Sequence, residues 1–112
     1  MKQIIIILLL VLGLSLAFAH PAGVVKAVLD TETALLTVDF AHKVKDAADH
    51  YINSVEIKVN GKVAIVHSLS LQESVNGGSL VYKIPALKKG DKISVLTKCS
   101  KGGDKSANIT VP

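Results

Sequence analysis

Arginine and tryptophan are absent from this sequence of 112 residues, and all 13 of its basic residues are lysines. Arginine is the residue that makes bidentate contacts to phosphate and guanine, and aromatic rings are what stack on unpaired bases. Aromatic residues make up only 4% of the chain, and only Phe40, Tyr51 and Tyr82 lie beyond the first 19 residues. The net charge of +4 therefore indicates a solvated lysine-rich surface, and we expect no nucleic-acid partner.

Cysteine is scarce as well, because Cys99 is the only cysteine in the chain. A lone cysteine cannot form a disulfide within its own chain, so it pairs with another molecule, stays a free thiol, or binds a metal as thiolate. A buried, unreactive thiol is the simplest of these alternatives. Two histidines spaced eight residues apart, His42 and His50, favour the metal hypothesis, because imidazole and thiolate bind an overlapping set of transition metals.

The first 19 residues have the pattern of a secretory signal peptide. Lys2 precedes an unbroken apolar run from Ile4 to Leu12, and Ala17-Phe18-Ala19 is a small-x-small cleavage site. The apolar run is short and weakly flanked for a membrane-spanning helix, and no second one follows. We therefore expect a secreted or periplasmic protein without stable membrane insertion after cleavage, whose mature chain begins at His20.

Residues 20–112 have the pattern of one all-β domain. Short stretches of alternating apolar and polar residues are separated by turn signals, and none shows a sustained helical period. Asn60-Gly61 is the clearest turn, because a type I′ hairpin needs positive φ at both central residues. A slip in the alternation near Ser54 indicates a β-bulge. Seven such stretches predict an immunoglobulin-like antiparallel β-sandwich, although the disulfide and core tryptophan of antibody domains are missing.

The loops of a β-sandwich cluster at its two ends, and this bears on the candidate ligands. His42 and His50 flank a polar loop between predicted strands, and Cys99 ends a strand before a glycine-rich turn. These three residues are therefore expected to meet at one end of the sandwich. His67 lies inside a predicted strand and is expected to pack or face solvent. The predicted strands cover residues 24–29, 34–40, 51–59, 63–71, 80–84, 92–98 and 106–111, with Asn76-Gly77-Gly78 interpreted as a break.

The segment His50-Tyr51-Ile52, followed by an alternating strand and Asn60-Gly61, resembles the iron domain of superoxide reductases, the desulfoferrodoxin and neelaredoxin family. The strand from Gly90 to Val95 that leads into Cys99 is similar as well, and the resemblance covers roughly residues 35–111. It implies an oxidoreductase with a mononuclear non-haem iron centre, in which four histidines and a cysteine thiolate bind the metal. Superoxide is reduced there by one electron, which a redox partner protein supplies.

The ligand set that this resemblance implies is incomplete. His42 lacks the proline that follows it in the family, and Gly102 stands where the last histidine ligand would follow the cysteine. The segment that supplies the first histidine is also missing, but His20-Pro21 lies upstream and is expected to replace it, with its free amine as an additional donor. The resemblance thus implies a metal site with reduced superoxide reductase activity, made of His20, His42, His50 and Cys99.

Two other hypotheses stay open. The Asn60-Gly61-Lys62 and Lys89-Gly90-Asp91-Lys92 turns are similar to those of the carrier protein of bacterial sulfur oxidation, its Z subunit. That resemblance implies a non-catalytic binding module that docks a partner through a sheet edge. A periplasmic copper-binding protein is the third hypothesis, because an N-terminal histidine such as His20 chelates through its amine and ring and copper tops the Irving–Williams order. The oligomeric state does not follow from the sequence.

Overall fold

The computed structural model describes residues 20–112, which form seven β-strands and no helix. No helix in this described part is long and apolar enough to span a membrane. The predicted signal peptide, residues 1–19, lies outside the described residues. The strands are β1 (Val24–Asp30), β2 (Leu35–Ala41), β3 (Ile52–Val59), β4 (Lys62–Ser68), β5 (Gly77–Lys83), β6 (Lys92–Cys99) and β7 (Asp104–Thr110).

The strands form two antiparallel sheets packed face to face. One sheet has the order β1-β2-β5, and the other has the order β4-β3-β6-β7. Strands β1 and β7 contact each other and close one side of the sandwich, whereas β4 and β5 are the edge strands of the opposite side. The predicted all-β class and the seven-strand antiparallel β-sandwich are confirmed.

The hairpin predicted at Asn60-Gly61 joins β3 to β4. The φ angles of its two central residues are 51° and 80°, and positive values at both positions are what a type I′ turn requires. This turn suits the right-handed twist of the two strands that it connects, and it fixes their pairing. The sequence pattern therefore predicted both the turn and its geometry.

Two predicted strand boundaries were wrong near the connection between β4 and β5. Strand β4 ends at Ser68 and β5 begins at Gly77, each three residues earlier than expected. Gly77 and Gly78 are not a break, because both pair with β2. Gly77 has a φ of 133°, and an added Cβ would overlap the carbonyl oxygen of Phe40. Glycine here permits the close approach of two backbones rather than ending a strand.

The hydrophobic core lies between the two sheets and ends in polar side chains at one end. The inward alternation of β2 continues beyond the strand to His42, and that of β6 ends at Cys99. These two side chains are 1% and 6% exposed, so they close the core at the end where β3 begins. Most of the remaining buried side chains are hydrophobic, and they include Leu36, Val38, Phe40, Ile52, Val55, Ile57, Ile93 and Val95.

Candidate metal centre

Three histidine side chains from two segments of the chain, the residues before β1 and the β2–β3 connection, meet at this end of the sandwich. His20 precedes β1, His42 follows β2 and His50 precedes β3. Their ring centroids are 4.7 to 4.9 Å apart, and one nitrogen of each ring lies within 4.8 Å of the other two. Nitrogen ligands at about 2.0–2.1 Å from one metal are about 3–4 Å apart. The three histidines can therefore bind a metal ion after a small contraction of the cluster.

Cys99 lies beside this cluster. Its Sγ is 3.0 Å from Nε2 of His50 and accepts a hydrogen bond of 3.4 Å from the backbone N–H of Lys101. Nitrogen and sulfur ligands at about 2.1 and 2.3 Å from one metal, at a right angle, would be about 3.1 Å apart. The contact between His50 and Cys99 thus has the spacing of two adjacent ligands, and it also suits a hydrogen bond between ring and thiol.

A turn and a bulge set the position of His50. The backbone N–H of His50 donates to the carbonyl oxygen of Asp46 at 2.9 Å, which closes the turn before β3. The predicted bulge follows, because the register between β3 and β6 shifts at Asn53 while Ile52 stays paired with Cys99. The bulge prediction is therefore confirmed. Bulges re-aim the residues beside them, and this one lies between the site and the regular part of β3.

His20 is held over the site by the residues that follow it. Ala22 is buried in the core, and the N–H of Gly23 extends the pairing with β2 through a hydrogen bond of 2.7 Å. Pro21 packs against Gly103 so closely that a Cβ added at residue 103 would lie 2.9 Å from the Cδ of the proline. A glycine in the turn between β6 and β7 therefore allows the segment carrying His20 to reach the cluster.

Gln72, in the connection between β4 and β5, completes the site, and nothing in its sequence context pointed to it. Its side chain is 3% exposed. The amide nitrogen Nε2 donates to the backbone oxygens of His42 and Ser74, both at 2.8 Å. The amide oxygen Oε1 accepts from the N–H of Ile52 at 3.1 Å and lies 2.8 Å from Nδ1 of His42. Because an amide oxygen only accepts, Nδ1 of His42 is the donor of that bond.

The other ring nitrogen of His42 is therefore an acceptor whenever the ring is neutral. This Nε2 atom lies 3.2 Å from the carbonyl oxygen of His20, and a carbonyl oxygen is an acceptor as well. Two lone pairs face each other in a partly buried place, which is unfavourable. A metal ion bound to Nε2, or a second proton on the ring, removes this conflict.

The electrostatic surroundings favour a neutral ring at His50. Burial is the main cause that lowers the pKa of His50 below 6.5, and the positive charges of His42, His20 and Lys101 lower it further. Asp49 opposes this effect, and its carboxylate forms an ion pair of 3.7 Å with Lys101. The neutral form of imidazole is the one that binds metals.

An open cavity of about 590 Å³ gives small molecules access to His20 and His50. Its remaining lining is mostly charged and carries more lysines than aspartates. These residues are Lys43, Lys45, Asp46, Asp49 and Lys101, together with Val44. The site is therefore accessible on the solvent side, and its rim has a positive balance of charge.

The fourth histidine lies outside the cluster. His67 is on β4, and its Nδ1 is hydrogen-bonded to the hydroxyl of Tyr82 on β5 at 2.8 Å. The two rings are nearly perpendicular, with centroids 5.6 Å apart. Burial raises the pKa of Tyr82 to about 12, so the phenol stays protonated. Of the two positions expected for His67, packed or facing solvent, the structure shows the first, since the ring contacts Tyr82.

Comparison with known proteins adds no assignment to this geometry. No family model matches the chain, and no curated protein sequence matches it. The resemblance to the iron domain of superoxide reductases stays a prediction that rests on the short motifs around His50 and Cys99. What the structure supports is a cluster of three histidines that can bind a metal ion.

Proposed function

We propose that this protein is an exported metal-binding protein that holds one transition-metal ion, iron in the first place. The ligands are the imidazoles of His20, His42 and His50 and the thiolate of Cys99. The supporting observation is the convergence of three imidazoles from two segments of the chain, with ligand nitrogens within 4.8 Å of one another. A second observation also supports a bound cation. The lone pair on Nε2 of His42 lies 3.2 Å from the carbonyl oxygen of His20, and a cation between these two acceptors would remove their repulsion.

The donor set narrows the choice of metal. Imidazole and thiolate suit iron, copper and zinc, whereas magnesium and calcium prefer oxygen ligands. The cavity of about 590 Å³ over His20 and His50 leaves room for an exchangeable ligand. Open coordination positions are typical of reactive metal sites, while structural sites are closed by protein. Among the three metals, the resemblance to superoxide reductases favours iron.

The proposed activity is the one-electron reduction of superoxide. Iron in this donor set supplies one-electron redox chemistry, and superoxide that receives one electron and two protons becomes hydrogen peroxide. The rim of Lys43, Lys45 and Lys101 supports an anionic substrate, because positive charge beside a cleft raises the local concentration of anions. A redox partner protein supplies the electron. With three histidines instead of four, we expect slower turnover than a complete ligand set gives.

The position of His20 favours copper as a second candidate. Its ring lies 4.8 Å from that of His42 and 4.7 Å from that of His50. After cleavage behind Ala19, the amine of His20 becomes a further nitrogen donor, and an all-nitrogen site suits copper(II). In that case Cys99 is a buried thiol rather than a ligand.

A non-catalytic binding module is the third candidate, and the free edge of the sandwich favours it. Val63 and Val66 on edge strand β4 are 49% and 60% exposed. Val63 also lines an apolar cleft of about 600 Å³ between β4 and residues 83–87. Exposed apolar edges are where partners add a strand. This function does not need the histidine cluster.

Metal analysis of the exported protein, purified without a histidine tag, tests the proposal. We expect one iron per chain, and a mass spectrum that begins at His20. Asparagine substitutions at His42 and at His50 should each weaken binding of Fe(II), measured by anaerobic titration, at least about tenfold. The matched control is His67→Asn, which changes a histidine outside the cluster and should bind iron like the original protein.

The other outcomes assign the other functions. Tight copper binding that disappears in His20→Ala but survives in Cys99→Ser would favour the copper protein. Absence of binding for iron, copper and zinc at micromolar concentration would favour the binding module. Iron binding without any consumption of pulse-generated superoxide would keep the metal site and reject the reductase activity.

A further inference from the structure

We infer that Gln72 is a positioning residue that fixes the tautomer of His42 and thereby selects Nε2 as its metal-binding atom. This inference rests on the proposed metal site. A neutral imidazole carries its proton on either Nδ1 or Nε2, and only the nitrogen without the proton binds a metal. Which nitrogen that is depends on the hydrogen bond made by the other one.

The orientation of the Gln72 amide is set by the backbone, independently of His42. Its Nε2 lies 2.8 Å from the carbonyl oxygen of Ser74, so this atom has to be the donor. Its Oε1 lies 3.1 Å from the N–H of Ile52, so that atom has to be the acceptor. If the amide were flipped, its NH₂ group would face the N–H of Ile52 and its oxygen would face the carbonyl oxygen of Ser74, and neither pair could form a hydrogen bond. The oxygen is therefore the atom that faces His42.

The same amide holds His42 at two points. Its oxygen is 2.8 Å from Nδ1 of the imidazole, and its nitrogen donates to the backbone oxygen of that residue at 2.8 Å. Ring and main chain of one ligand are thus fixed by a single side chain that is 3% exposed. All four hydrogen-bonding positions of the amide are used. The proton of the neutral ring resides on Nδ1, and Nε2 faces His20.

An amide is the only side chain of this length that can serve all four contacts. Glutamate offers no N–H to the carbonyl oxygens of His42 and Ser74, so it would place a carboxylate against two acceptors. Methionine has a similar length and no strong hydrogen-bonding group, so it removes the contacts without introducing charge. Partners that orient metal-bound histidines typically contribute about 10–100-fold to metal affinity.

The test begins with the metal-free protein and needs no substitution. Long-range ¹H–¹⁵N NMR spectra at pH 8.5, where a free imidazole is neutral, report which nitrogen of each histidine carries the proton. We expect His42 as the Nδ1–H tautomer. In Gln72→Met this preference should be lost, and zinc affinity should fall about 10–100-fold. The matched control Ser74→Ala changes the same connection without touching His42, so it should keep both tautomer and affinity.

The outcomes separate this inference from the proposed function. An Nε2–H tautomer, or a doubly protonated ring at pH 8.5, would overturn the role of Gln72 even if the protein binds metal. The Nδ1–H tautomer in a protein that binds neither zinc nor iron would refute the metal site instead. If Gln72→Met does not fold, the tautomer of the unchanged protein still decides. If it folds and binds zinc with unchanged affinity, Gln72 has a structural role alone.

Discussion

A metal ion shared by His20, His42 and His50 must raise the stability of the folded protein. His20 lies before β1, whereas His42 and His50 lie in the β2–β3 connection, so the unfolded chain has no comparable site of three histidines. A ligand that binds only the folded state raises the free energy of unfolding by about 2.7 kcal/mol when its free concentration is a hundred times its Kd. The increase is about 4.1 kcal/mol when the concentration is a thousand times Kd. For a domain of this size, each kcal/mol raises Tm by about 4–8 °C. We therefore expect Tm to rise by about 11–22 °C at the hundredfold excess.

Thermal melting followed by far-UV circular dichroism measures this rise as a function of free zinc or anaerobic Fe(II). Each tenfold increase in the free metal concentration above Kd adds about 1.4 kcal/mol to the free energy of unfolding. His50→Asn should show a smaller rise at every concentration. His67→Asn loses the hydrogen bond to Tyr82, which is worth about 1 kcal/mol, so its metal-free Tm should be lower. Its increase with metal should nevertheless equal that of the original protein.

A flat Tm over the whole concentration range would refute the shared site. An equal rise in His50→Asn and the original protein would show that the metal binds elsewhere. If His67→Asn lost the increase, the choice of ligands would be wrong, because this residue lies on β4 and bonds to Tyr82. A rise that saturates at one metal per chain supports the proposed stoichiometry.

Two further predictions concern Cys99 and Asp91. Oxidised iron-loaded protein should show a sulfur-to-iron charge-transfer band in its absorption spectrum, and Cys99→Ser should abolish it because the chain has no other cysteine; a persisting band would exclude thiolate ligation. Hydrogen bonds from the side-chain amide of Asn60 and the backbone N–H of Lys88 lower the pKa of Asp91 below 3.8. The ionised Asp91 therefore stabilises the fold above pH 3.8, and this stabilisation is lost as the pH falls through the lower pKa of the folded state. Urea unfolding should therefore show that Asp91→Asn is less stable than the original protein at pH 7, with the difference shrinking towards pH 2, whereas a constant difference would contradict this cause.

The sequence predicts those features that depend on neighbours along the chain. Asn60-Gly61 specifies its turn because both residues tolerate positive φ. The alternation of apolar and polar residues along β6 likewise predicts that Cys99, at the end of the strand, faces the core. The prediction of a break at Gly77 is wrong, because a glycine that ends a strand and one that admits a close neighbour look the same in sequence. Only the packing of Phe40 against it distinguishes the two.

The rest of the site depends on contacts between distant segments. Gln72 lies in the connection between β4 and β5, and its role arises from contacts to Ile52 at the start of β3 and to His42 after β2. His20 reaches the cluster because Pro21 packs on Gly103, near the other end of the chain. Neither contact produces a periodic or compositional pattern in the sequence, so neither can be predicted from the sequence alone.

The packing of Pro21 on Gly103 has a consequence for the exchange of metal. His42 and His50 lie in a connection that has a strand on each side, and Cys99 is the last residue of β6. After the proposed cleavage behind Ala19, residues 20–23 would be the N-terminal segment, which has a strand on one side only. Local opening of this segment requires far less free energy than global unfolding. In the proposed site, His42, His50 and Cys99 therefore stay in place while His20 completes the ligand set, so the lifetime of a bound ion should depend on how often residues 20–23 lift away while both sheets stay intact.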